Sequence, residues 1–146
     1  MSLYTHILIA ADFSDHGHEV SHVAKQLAEQ NQAKLSVIHV FENIPIAEPL
    51  YAPMTFDADI AEELMKNAQI GLRKFADDLS VPEERQWFEL GSPKLEIVRV
   101  AEENQVDLIV VGSHGRHGLG LLLGSTANGV LHHAKCDVLA VRLKDD

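Results

Sequence analysis

Two short runs limit what this chain can become. Residues His6–Ala11 read His-Ile-Leu-Ile-Ala-Ala, and residues Val106–Val111 read Val-Asp-Leu-Ile-Val-Val and stop at Gly112. Both are nearly continuous in apolar residues, whereas a strand with one wet face alternates. Such strands are covered on both faces, as in a parallel sheet between helices. Ala33–Phe41 is β-rich and partly alternating, and Gln86–Leu90 and Asp137–Val141 supply two shorter strands.

Helical stripes fill the intervals. Val20, Val23, Ala24, Leu27 and Ala28 form one, with Ser14 or Asp15 as its cap. Ile60, Leu64, Ala68, Leu72, Phe75, Ala76 and Leu79 form a longer one. Ile97, Val100 and Ala101 form a short one, with Pro93 near its first turn. Leu119, Leu122, Leu123, Thr126, Ala127, Val130 and Leu131 form the last, and Gly118, Gly120 and Gly124 interrupt its start. Strands alternating with helices imply right-handed crossovers and a parallel sheet with helices on both faces. The segment Glu42–Thr55, with Pro45, Pro49 and Pro53, fits neither element and reads as a long connection, either a lid or interface element or a plain surface link.

Composition narrows the partners. The 146 residues suit a single domain, 1–146, and their net charge of −10 argues against nucleic acid and anionic membrane surfaces. No apolar run approaches the roughly 20 residues that span a bilayer. Cys136 is the only cysteine and the N-terminus lacks a basic leader pattern, so a reducing cytoplasm is expected.

The chemistry concentrates after the first and fourth strands. In an open parallel sheet, ligands bind beyond the carboxyl ends of the strands, where strand order reverses. Ala11-Asp12-Phe13-Ser14 follows the first strand. After the fourth, five glycines fall within the 13 residues from Gly112 to Gly124, followed by Ser125 and Thr126. Glycines let backbone N–H groups approach a ligand, and a helix starting near Gly124 offers open N–H groups to phosphate. Arg116 adds charge. Neither the Gly-Lys-Ser/Thr of a phosphate loop nor a dinucleotide fingerprint after the first strand is present. The plain alternative is a loop whose glycines only turn corners, with Asp12 capping the first helix. His114 and His117 have metal-compatible spacing but no acidic or cysteine partners nearby in sequence. His132-His133 reads as a surface pair at a helix end, and Cys136 as a small packed hydrophobe.

With these segments in view, the chain resembles the universal stress protein family along its whole length. The likeness is carried by His6–Ser14, Lys34–Val40, Gly91-Ser-Pro93, Val106–Gly115, Gly124-Ser125 and Cys136–Val141. The resemblance implies an α/β three-layer sandwich, adenine-nucleotide-hydrolase-like, with a five-stranded parallel sheet of order 3-2-1-4-5. It also implies a cytoplasmic dimer with a stress-linked role. That order makes Asp137–Val141 an edge strand, so a homodimer joined through it is expected.

ATP-binding members carry a glycine motif matched here at Gly112, Gly115, Gly124 and Ser125. By resemblance, Gly115, Gly124, Ser125 and Thr126 surround the phosphates, Asp12 sits near the ribose or a metal such as Mg²⁺, and Val40 offers backbone to the adenine. Ala11, His114 and Arg116 complete the expected nucleotide site. The stretch between Gly115 and Gly124 is one residue shorter than in the ATP-binding branch, and another branch lacks the glycines and does not bind ATP. Two readings follow: an ATP-dependent regulatory switch, or a dimeric interaction module of the same fold without nucleotide. No side chain is identifiable as the base or water positioner of a hydrolase, so no catalysis beyond slow ATP hydrolysis is expected.

Overall fold

The computed structural model describes residues 2–11, 17–42, 58–113 and 124–142. Its elements run β1 (His6–Ala10), α1 (Gly17–Asn31), β2 (Lys34–Phe41), α2 (Ala58–Asp78), β3 (Gln86–Leu90), α3 (Pro93–Glu103), β4 (Leu108–Gly112), α4 (Ser125–His133) and β5 (Asp137–Val141). The strands pair in parallel in the order β3-β2-β1-β4-β5, as expected. β1 is central: Ile7 pairs with Leu35 on one side and Leu108 on the other, and Ile9 with Val37 and Val110.

The pleat sends alternate residues to opposite faces. Ile7, Ile9, Val37, Leu108 and Val110 meet Val20, Ala24 and Ala28 of α1 and Leu72 and Ala76 of α2. Leu8, Ile38, Val40, Ile109 and Val111 meet α3 and α4 through Ile97, Val100, Ala101, Ala127 and Val130. This double cover explains the unbroken apolar runs of β1 and β4. Each fully buried Leu, Ile or Val contributes about 1.5–3 kcal/mol.

Three helices end alike. Gln32, Ser80 and Gln105 have φ of 53°, 57° and 54°. The amide after each donates five residues back, Ala33 to Ala28, Val81 to Ala76 and Val106 to Ala101. These left-handed closures satisfy helix carbonyls and turn the chain toward the sheet. They also explain one boundary. The sequence run starts at Val106, yet β4 starts at Leu108, because Val106 closes α3 and Asp107 turns its carboxylate to the start of β1. Gly91, at φ 137°, occupies a backbone region that favours glycine, and Ser92 and Pro93 then start α3.

The long apolar stripe of α2 is only partly used. Leu72 and Ala76 are buried, but Ile60 and Leu64 are 56% and 55% exposed. The inward face of α2 runs through Ala61, Met65, Ala68, Leu72 and Ala76, and Ile60 and Leu64 fall beside it. Leu131, in the stripe of α4, is also exposed. The expected cap at Ser14 or Asp15, the helical residues Leu119, Leu122 and Leu123, and residues 43–55 of the Pro-rich connection lie outside the described residues.

Candidate functional site

β1 and β4 are neighbours, yet their outer partners lie in opposite directions of the chain. This is the reversal point at which open parallel sheets hold ligands. At the carboxyl end of β1, the Ala11 amide donates to the Ile38 carbonyl at 2.8 Å, extending the β1–β2 pairing one residue past the strand. At the end of β4, Gly112 pairs with Val141 and the Ser113 amide donates to the Val141 carbonyl at 2.8 Å.

The chain that leaves β4 at Ser113 returns beside it. The Gly124 amide donates to the Ser113 carbonyl at 2.7 Å, so the start of α4 sits beside the end of β4. Gly124 is the N-cap of α4, with φ −62° and ψ 157° and no side-chain capping bond. Its carbonyl accepts the first helical bond, from the Asn128 amide at 2.9 Å. The next amides, of Ser125 and Thr126, belong to the first turn and have no partner within the helix. Ser125 is exposed and Thr126 half-buried, each adding a hydroxyl. The helix dipole adds roughly half a positive charge at this end. Together these groups form a cradle suited to an anion, without an ionisable side chain in the helix start. At the other end of α4, His132 and His133 occupy the last turn and are exposed.

Of the residues expected at the site, Ala11 follows β1, Gly112 ends β4, and Gly124, Ser125 and Thr126 form the start of α4. Val40 lies one residue before the end of β2, paired with Glu89 of β3, with its side chain in the α3–α4 core and only its backbone available. Asp12, His114, Gly115 and Arg116 lie outside the described residues. Among the described residues, no group of three or more His, Cys, Asp or Glu is placed to hold a metal ion. Ser113 was not singled out from sequence, although its carbonyl anchors the returning chain. Its position directly after the fourth strand was the available signal.

The opposite end of the sheet is built differently. The Asp107 carboxylate accepts from the Thr5 amide (2.8 Å), the Thr5 hydroxyl (2.9 Å) and the His6 amide (3.0 Å). Burial opposes ionisation of Asp107, but these hydrogen bonds outweigh it and hold the carboxyl below its usual value. The Tyr4 hydroxyl donates to Asp137 at the start of β5. A cavity of about 190 Å³ lies between the ends of α3 and α4, lined by Val98, Ala101, Ile109, Ala134 and Cys136 among others. Burial pushes the Cys136 thiol up, which suits packing and not reactivity. No helix among the described residues is long and apolar enough to cross a membrane.

The profile of the Universal stress protein family matches residues 3–142. Universal stress protein A homolog 1 of Coxiella burnetii (strain RSA 493 / Nine Mile phase I) is 41% identical over 142 residues, covering 97% of this chain and 99% of its own. Universal stress protein MJ0531 of Methanocaldococcus jannaschii is 33% identical over 143 residues, covering 97% and 84%. Among solved structures, that of the hypothetical protein MJ0577 superposes with a TM-score of 0.79 at 26% identity, over 99% of both chains. A universal stress protein in complex with cAMP superposes with a TM-score of 0.70 at 24% identity, over 97% and 98%.

Proposed function

The chain belongs to the universal stress protein family, and we propose that it is a dimeric regulatory module that binds ATP at the carboxyl ends of β1 and β4. The observation that carries this reading is the Ser113–Gly124 hydrogen bond, which holds the open start of α4 against the end of β4. The first-turn amides and the hydroxyls of Ser125 and Thr126 would then donate to the phosphates. The backbone of Ala11 and Val40 would border the nucleoside, and Gly112 leaves the approach free of a side chain. Gly115, Arg116 and His114 would close over the phosphates, and Asp12 would take the ribose or a Mg²⁺ ion. The cAMP complex of a structural relative supports a nucleotide as the ligand class.

A homodimer through β5 completes the reading. β5 is an edge strand, bonded to β4 on one side, and Val138–Val141 are half-buried within one chain. Pairing two such edges about a two-fold axis covers both. The protein would act in the cytoplasm as one domain over residues 1–146, by occupancy and not turnover.

Calorimetry with ATP and Mg²⁺ tests the site. Binding with a rise in melting temperature supports it, since a ligand bound only to the native state stabilises that state. Absence of both, with the dimer intact, supports an interaction module without nucleotide, for which the shortened Gly115–Gly124 stretch speaks.

A further inference from the structure

His6 opens β1 and is 5% exposed, and Ser36 in β2 is fully buried. The imidazole Nε2 lies at 2.5 Å from the Ser36 hydroxyl. Nδ1 lies at 3.1 Å from the carbonyl oxygen of Asn104, just past the end of α3. A carbonyl only accepts, so Nδ1 carries the ring proton. Nε2 is then the lone-pair nitrogen and accepts from the Ser36 hydroxyl. The neutral ring thus satisfies both of its nitrogens and a buried hydroxyl at once.

A second proton has no place here. Lys34 of β2 and Arg85, just before β3, face the ring and oppose a positive charge. Asp107 favours it, but that carboxylate is already engaged by Thr5 and the His6 amide. Trp87 of β3 packs its ring 6.4 Å from the imidazole, centroid to centroid, and offers no carboxylate. Asn104 presents only its carbonyl, which holds the existing proton.

We propose that His6 is an acid-operated latch: its neutral ring ties β1 to β2 and to the end of α3, and a proton taken up at Nε2 releases the tie. The proton comes from solvent and occupies the Nε2 lone pair. The Ser36 hydroxyl then loses its acceptor, and a positive charge is left in the core. Two backbone bonds share this corner, from the Lys34 amide to the Thr5 carbonyl (2.9 Å) and from the Asp107 amide to the His6 carbonyl (3.0 Å). They should loosen with it. The corner lies at the amino ends of the strands, so acid acts at a distance from the carboxyl-end cradle.

The direction of titration agrees. Burial, the largest influence, lowers His6 from the ordinary imidazole value; the Asn104 contact opposes this, Lys34 and Arg85 add to it, and Asp107 opposes it. A group depressed in the folded state gives its full stability above the unfolded value of roughly 6.5 and loses it as pH falls through the folded value.

The test is an NMR titration of the His6 ring in the full chain, with amide exchange between pH 7.5 and 5.0. The His6 ring is expected to titrate below the ordinary imidazole range. Protection of the Lys34 and Asp107 amides, corrected for intrinsic exchange, is expected to fall severalfold as the pH is lowered across that range. In His6→Gln, whose amide can donate to Asn104 and accept from Ser36 without titrating, that pH-dependent loss is expected to vanish. A His6 midpoint within or above the ordinary range overturns the proposal. So does the same loss of protection in wild type and His6→Gln. Should the variant not fold, the wild-type titration and exchange decide alone.

Discussion

The Gly124 amide and the Ser113 carbonyl meet at 2.7 Å across ten intervening residues. That single bond places the start of α4 beside the end of β4, and the proposed ligand chemistry depends on the resulting backbone geometry. The N-cap has φ −62° and ψ 157°, an extended conformation open to any L-residue.

Gly124→Val is therefore expected to hurt binding more than folding. Valine is a poor N-cap, which costs about 1 kcal/mol, roughly 3–4 °C for a chain of this size. Its branched side chain at the cradle should weaken ATP binding at least tenfold. Parallel calorimetry and melting curves separate the two effects. Loss of stability in proportion to loss of binding would make this glycine structural.

The edge position of β5 predicts a dimer at micromolar concentration. Light scattering of the unmutated protein should give twice the chain mass, and Val141→Asp should return it to one. Val141 also packs against the α1–α2 core, so the mutant should melt lower as well. A monomer mass for the unmutated protein would sink the β5 interface.

The left-handed residues closing α2 and α3 are not glycines. Ser80→Gly and Gln105→Gly remove the clash of a Cβ with its own backbone there. After the extra entropy of a glycine in the unfolded chain, each should stabilise by about 0.5 kcal/mol. Urea denaturation should show higher midpoints with unchanged slopes. A lower midpoint would mean that the native side chains contribute more than the strain costs.

Asp107 should make the fold acid-sensitive in a second window. Its carboxyl is depressed in the folded state by the bonds from His6 and Thr5, despite partial burial. Its contribution is thus present above the unfolded carboxylate value, roughly pH 4, and is lost as pH falls through the lower folded value. Asp107→Ala should cost about 1–2 kcal/mol at pH 7, reduced by solvent screening, and should flatten the acid limb below pH 4. An unchanged acid limb would show that other carboxylates dominate it.

Phosphate release under ATP saturation should stay well below ~1 s⁻¹, the low end of ordinary enzymes. Asp12→Asn and His114→Ala serve as controls. Turnover at or above that rate, abolished by either substitution, would make the protein an enzyme.

The layers were legible in the residues themselves, whereas the strand order came from the family resemblance. The unbroken runs at Ile7–Ile9 and Leu108–Val111 already required cover on both faces, and helical stripes between the strands supplied it. Gly124-Ser125 as a helix start was legible too, because glycine followed by hydroxyl residues after an apolar strand is a local pattern. Periodicity could not tell which stripe residues are buried. Ile60 and Leu64 share a stripe with Leu72 and Ala76, yet the inward face of α2 passes through Ala61, Met65 and Ala68 beside them.

The tertiary structure alone decided the contacts between residues far apart in sequence. His6 and Ser36 are unremarkable polar residues within two strands until the parallel register brings His6 opposite Lys34, near Ser36, and the end of α3 supplies the Asn104 carbonyl. Ser113 likewise acquires its role only when the chain returns at Gly124. Hydrophobic spacing is set by the local period of a helix or strand, so sequence carries it. Hydrogen bonds between distant polar groups depend on which strands pair, in what register, and where each helix ends, and those are properties of the assembled sheet.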